Sequence, residues 1–230
     1  MGRLTGNVPE LPASQMDIKE SAELMERTLQ AMSGASQLPV TMIKVPSGGG
    51  KYFALDDDLP PAASIEGVIL SARYCNVYWD KPMGEGDSAP ACASNDGMSG
   101  WYMLDGELME RSCRTCKFNK MKSGKDGKGK ACKNIVRLMM LIEGQALPVE
   151  IKVPTMSVNN FSLYLSRVLA PRRLNVNQVT TKLTLKEAVN GSGIKYSQIA
   201  FECTGRVNDE EIGALMSVAG PLLLEGGAEE

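Results

Sequence analysis

The chain has 230 residues, of which 43% are hydrophobic, 23% charged and 5% aromatic, and its formal net charge is -2. That composition suits one substantial globular domain or two small ones, and no apolar run approaches the ~20 residues of a membrane helix, so no membrane partner is expected. It contains no histidine, which excludes Ser-His and Cys-His nucleophile pairs, histidine bases and histidine-ligated catalytic metals and makes the expectation non-enzymatic.

Taken in order, residues 1–13 hold Gly2, Gly6, Pro9 and Pro12 and read as a flexible arm. Ser14 with Asp17 resembles a capping box, and Ile18, Ala22, Met25, Leu29 and Met32 then recur at steps of three and four. This spacing predicts an amphipathic helix over about 15–32, docked on the main domain or bound to a partner, and ended by Ser33-Gly34-Ala35-Ser36. Short β-like pieces follow at 40–45 and 51–55, joined by Ser47-Gly48-Gly49-Gly50. That loop lacks the spacing of a phosphate-binding loop and reads as a hairpin tip. Asp56, Asp57 and Asp58 lack EF-hand spacing and read as a solvated turn; together with Glu66 they are the one carboxylate cluster that a Mg²⁺-dependent nuclease would use.

Residues 64–79 predict a long strand. Beyond it the spacing Cys92-x20-Cys113-x2-Cys116-x15-Cys132 supplies four thiolates, two of them on a tight C-x2-C turn. Four such ligands meet the demand of one structural Zn²⁺ ion, which would replace a core in this polar, glycine-rich stretch. Disulfides, or four unrelated thiols, are the competing readings. The opening Met1-Gly-Arg-Leu-Thr has no apolar signal-peptide run, so a reducing, cytoplasmic compartment is expected and zinc is preferred. Cys75 and Cys203, in strand-like runs, are expected to be buried and inert. Nine basic residues between Arg111 and Lys133 face Asp126 alone, making the finger a cationic patch.

After the finger, strands are predicted at 134–142 and 147–153 around a turn at Glu143-Gly144-Gln145. A helix over 155–169 follows, with Phe161, Tyr164, Leu165, Val168 and Leu169 on one face and Ser157 as its cap. A hairpin then joins 176–187 to 194–203 through Asn190-Gly191-Ser192-Gly193. The chain ends in a helix from Asn208 to Gly220-Pro221 and a loose acidic tail. The expected fold is mainly β with flanking helices: an OB-like five-stranded Greek-key barrel over 37–207, with the zinc finger inserted at about 80–133. Residues 1–36 form the arm and first helix, and 208–230 the last helix and tail. An α+β domain carrying a zinc ribbon is the alternative.

Single-stranded nucleic acid is held by cations along the phosphates and flat rings beneath the bases. This sequence interleaves the two: Lys44, Lys51, Tyr52 and Phe53 around the glycine loop, Arg73, Tyr74, Tyr78 and Trp79 on the long strand, and Trp101, Arg114, Lys117, Phe118, Lys120 and Lys122 in the finger. Strand alternation puts Tyr74 and Tyr78 on one face and Arg73 and Trp79 on the other, so the two sets cannot all touch bases. Trp101 and Phe118 are alternatively packing for the metal site.

The segment Ala89-Pro90-Ala91-Cys92-Ala93-Ser94-Asn95-Asp96-Gly97, with Cys113-x2-Cys116, Asn119 and Gly127-Lys-Gly-Lys-Ala-Cys132-Lys, resembles one found in bacteriophage single-stranded DNA-binding proteins with an OB-like barrel and an embedded four-cysteine finger. The likeness covers about residues 65–205. It implies Cys92, Cys113, Cys116 and Cys132 as metal ligands, single-stranded DNA as partner, and a place beside replication or recombination proteins. Gly226-Gly-Ala-Glu-Glu230 departs from the familiar bacterial binders, whose acidic tail ends in an aromatic residue. The rival expectation is a protein-interaction module that docks on or inhibits a host complex. A barrel edge or the methionine-rich first helix would each serve for homo-oligomer formation.

Overall fold

The computed structural model describes residues 10–33, 40–54, 60–81 and 89–225. The elements are α1 (Ile18–Ala31), β1 (Met42–Ile43), β2 (Ser64–Tyr78), β3 (Cys92–Ser94), β4 (Ser99–Leu104), β5 (Glu107–Ser112), β6 (Lys133–Ile142), β7 (Val149–Val153), α2 (Thr155–Leu163), β8 (Val179–Val189), β9 (Lys195–Arg206) and α3 (Asp209–Glu225). The chain is mainly β with flanking helices. Among the described residues, no helix is long and apolar enough to cross a membrane. The aspartates at 56–58, the loop at 34–39 and the tail at 226–230 lie outside the described residues.

β2 is the spine. Rich in Ile, Val and Tyr, it pairs antiparallel with β6 from Gly67 to Val77, with β8 along its first residues and with β3 at its far end. Gly67 is required here, because a Cβ would stand 2.1 Å from Leu141 O. A bulge between Ile69 and Ser71 bends the strand. The main sheet runs β9-β8-β2-β6-β7-β1, with β1 parallel to β7, while β3, β4 and β5 extend from the tip of β2.

The expected closed barrel is corrected by this pairing: among the described residues no ladder joins β7 to β9, and the sheet is open. The edge of β9 is occupied instead by α2. Ser157 Oγ accepts from Ile199 N at 2.9 Å, Asn160 Nδ2 donates to Ile199 O at 2.8 Å, and Gln198 Nε2 donates to Met156 O at 3.1 Å. Side chains of the helix thus satisfy backbone groups that a closing strand would otherwise pair. The glycine loop adds to this, with Ser47 bridging Tyr196 and Ser197 Oγ donating to Gly50 O.

The two faces of the sheet bury separate cores. One gathers Ile69, Val136, Leu138, Met140 and Ile151 beneath Phe161 and Tyr164. The other sets Val68, Leu70 and Leu141 against Ile18 and Met25 of α1 and Leu215 and Ala219 of α3. Each large side chain so buried contributes roughly 1.5–3 kcal/mol. α1 is capped by Asp17, whose carboxylate accepts from Glu20 N, while Ser14 Oγ serves Met16 N. The second helix ends earlier than its apolar face predicts: after Leu163 it widens into a π turn, Tyr164–Leu169, and tightens at Ala170–Arg172. α3 continues past Gly220-Pro221, where Leu222 and Leu223 pack on the second core.

Candidate functional site

The four finger cysteines come from four backbone segments. Cys92 opens β3 opposite Tyr78. Cys113 follows β5, and its N–H donates to Met98 O at 2.7 Å. Cys116 precedes a tight turn, Lys117–Asn119, in which Asn119 N donates to Cys116 O at 3.1 Å. Cys132, leading into β6, donates its N–H to Phe118 O at 2.9 Å. All four are free thiols lining one pocket, with Asn76, Tyr78, Arg111 and Phe118 among its other walls. Gly100 makes room for the sulfurs: a Cβ there would lie 3.0 Å from Cys92 Sγ and 3.3 Å from Cys113 Sγ. Among the described residues, no three Cys, His, Asp or Glu side chains stand in a ready coordination shell. The donor set and the glycine cradle fit a tetrahedral, thiolate-preferring ion.

Burial pushes the Cys132 thiol up to about 11, reinforced by Cys113, Cys116 and Cys92 and opposed by Lys130. Burial also raises Cys92, with Arg111 opposing. Two cations therefore stand beside the sulfurs. Arg111 lies 3.7 Å over the Tyr102 ring and lines the pocket with the four cysteines, and Lys130 Nζ donates to Asn119 Oδ1 at 3.1 Å and Asn134 Oδ1 at 2.7 Å.

An amide relay ties this knuckle to the sheet. Asn119 Nδ2 donates to Cys113 O at 3.0 Å, Asn134 Nδ2 to Asn119 Oδ1 at 3.0 Å and to Asn76 Oδ1, and Asn76 Nδ2 to Gly97 O at 3.1 Å. The sequence reading assigned no role to Asn76 or Asn134 and counted Lys130 only within the finger's cationic patch. The available signal was two amides inside apolar strands, where buried polar groups need partners. Cys75 is buried and Cys203 half-buried, both away from the finger pocket.

The candidate nucleic-acid residues are distributed unevenly. Phe53 is 0% exposed in the main core, and this corrects its assignment as a base contact: the hairpin turns its ring inward. Tyr52, Lys44 and Lys51 are exposed. Tyr78 and Phe118 stack on each other, centroids 4.1 Å apart at 12°, so each has one face already covered. Lys117 Nζ sits 5.0 Å from the Phe118 centroid. Arg114, Lys120 and Lys122 are exposed on the finger, as are Trp79 and Trp101, whereas Arg73 donates to Leu223 O at the end of α3.

The register resolves which of these share a surface. Val77 pairs with both Lys133 and Ala93, and Ala93 pairs with Trp101, so these four point to one side. On that same side Arg73, Arg137 and Lys152 form a row across β2, β6 and β7. Arg137 is engaged by buried Glu150 at 2.6 Å, while Lys133 and Lys152 are exposed. Tyr74, Tyr78 and the cysteine pocket lie on the other side.

No family model matches the chain, and no curated protein or solved structure matches it.

Proposed function

We propose that the chain is a non-enzymatic single-stranded DNA-binding protein that coats DNA during phage replication or recombination, stiffened by one structural zinc ion. The observation that carries this reading is the shared face of Lys133, Trp101 and Lys152, all three exposed, where Arg73 and Arg137 stand in the same row but are already engaged by Leu223 O of α3 and by Glu150. Exposed cations attract the phosphates, and an exposed indole beside them offers a stacking surface. Exposed Lys44 and the finger residues Arg114, Lys117, Lys120 and Lys122 would lengthen the cationic track.

We read the order β2-β6-β7-α2-β8-β9 as an opened OB-like barrel whose first loop has grown into the finger. In OB-folds the face of the second and third strands, here β6 and β7, is the oligonucleotide face. Cys92, Cys113, Cys116 and Cys132 would hold the zinc, with Arg111 and Lys130 offsetting the negative charge of the thiolates. Bound zinc supplies rigidity; the finger's own lysines and arginine attract the strand. The double variant Cys113→Ser, Cys116→Ser is expected to lose zinc and bind single-stranded DNA at least tenfold more weakly. Unchanged affinity in a folded, metal-free variant would remove the finger from the mechanism.

A second reading rests on the β4–β5 ribbon, which exposes Met98, Trp101, Met103 and Leu108 at 69%, 47%, 62% and 62%. An apolar surface of this kind suits a protein partner. The interaction-module reading predicts that Met103→Ser, Leu108→Ser abolishes capture of a protein partner and leaves the protein without oligonucleotide affinity in either form.

A further inference from the structure

β2 is paired with β8 only as far as Val68 and with β3 only from Asn76 onward. Along that side of the strand between those points, no strand covers it among the described residues. The space is flanked by the π turn after α2 and by the Val176–Gln178 turn, and it forms a cavity of about 440 Å³. The cavity lies at the uncovered edge of β2, where Leu70 of one sheet face and Tyr74 of the other both line it. We infer that it is a nucleobase site that takes one base of the bound DNA as the DNA passes round that edge from the Lys133–Trp101 face, an inference that rests on the single-strand-binding reading above.

The lining has the chemistry of such a site. Leu70, Ala72, Leu165 and Leu174 give apolar walls. Tyr74, on the same lining, is 42% exposed, and its hydroxyl is paired with Ser162 Oγ at 3.3 Å, which orients the ring while leaving it accessible. Asn177 also lines the cavity and supplies an amide for a base edge; neighbouring Asn175 is committed to capping its own turn with Gln178. Apolar walls with few placed polar groups are the usual make-up of a small-molecule pocket, and the volume lies in that range.

An exposed cation lies next to the wall in sequence. Arg173, exposed and adjacent in sequence to the wall residue Leu174, has φ 58, a left-handed conformation that non-glycine residues adopt rarely and that clusters at functional sites. The preceding π turn, which contributes Leu165 and Leu169 to the lining, is likewise a backbone form concentrated at such sites. Arg172 is tied down, its Nη1 donating to Val168 O at 2.7 Å, so Arg173 is the exposed guanidinium of this pair. A purely aliphatic partner segment would require neither the ring, the amide nor the cation.

The test uses the zinc-loaded full chain and a twelve-nucleotide single strand carrying 5-iododeoxyuridine. Irradiation followed by mass spectrometry is expected to place a crosslink on Tyr74. Tyr74→Ala should weaken binding about tenfold, the equivalent of one lost stack, while Tyr74→Phe keeps it. Asn177→Ala should flatten any preference among dT, dC and dA homopolymers. Full affinity in Tyr74→Ala, with crosslinks confined to Trp79 and Trp101, would overturn the cavity assignment and leave the single-strand reading standing. Absence of any binding by the unaltered chain at low salt would overturn both.

Discussion

Gly100 is the finger residue that makes room for the sulfurs, because a Cβ there would press on both Cys92 Sγ and Cys113 Sγ. Gly100→Ala is therefore expected to weaken zinc binding at least tenfold in a chelator competition, with the strand content of the sheet unchanged by circular dichroism. The Asn76–Asn134–Asn119 relay makes a different prediction. Asn134→Leu removes one of the two acceptors of Lys130 and the donor to Asn76, leaving the buried Asn76 Oδ1 without that bond, and should cost about 1–3 kcal/mol in denaturant unfolding. Asp96 adds a pH dependence. Its carboxylate accepts from Ser99 N at 2.9 Å, Met98 N at 2.7 Å and Ser94 Oγ at 3.0 Å, and the two backbone bonds hold its pKa below the usual carboxylate range. A depressed folded-state pKa means that this contribution is present above the unfolded value, about pH 4, and disappears as pH falls through the folded one. Amide exchange at Met98 and Ser99 should accelerate below about pH 4 in the native protein and already be fast at neutral pH in Asp96→Asn.

At the scale of elements, the strong apolar periodicities were legible in the sequence and the seams between elements were not. The helix of Ile18, Ala22 and Met25 and the strands at 64–78, 133–142 and 179–206 lie where their patterns put them, because burial of one face fixes each. The β4–β5 ribbon escaped notice because most of its residues are exposed and no alternation marks it. Its signal was Asp105-Gly106, whose φ values of 52 and 86 are those of a two-residue hairpin turn. The open seam was likewise invisible: nothing in the pattern says that Ser157 and Asn160 bond the edge of β9. Ser157→Ala should cost about 1–3 kcal/mol by stranding the buried Ile199 N–H. The candidate site was half legible. Cysteine spacing named the four thiols, but the cations around the glycine loop put Phe53 on the binding surface when the fold buries it, and only the three-dimensional register shows that Trp101 lies on the side opposite Tyr74.

The whole molecule joins a covered half-sheet, stabilised by two helices, to a more exposed half-sheet and a finger whose second half is cationic. The sum of charges hides this division, since the net value is -2 while the second half of the finger, from Arg111 to Lys133, sets nine basic residues against Asp126 alone. Binding should therefore depend on local cations and fall with salt. Lys133→Glu and Lys152→Glu should each weaken it and lower the slope of log affinity against log salt by about 1 if each meets one phosphate. The most direct measurement is fluorescence anisotropy of a labelled single strand with the zinc-loaded chain at two salt concentrations, with duplex and RNA competitors. The account predicts tight single-strand binding that duplex does not displace and that weakens as salt rises. No binding at the lower salt would contradict it.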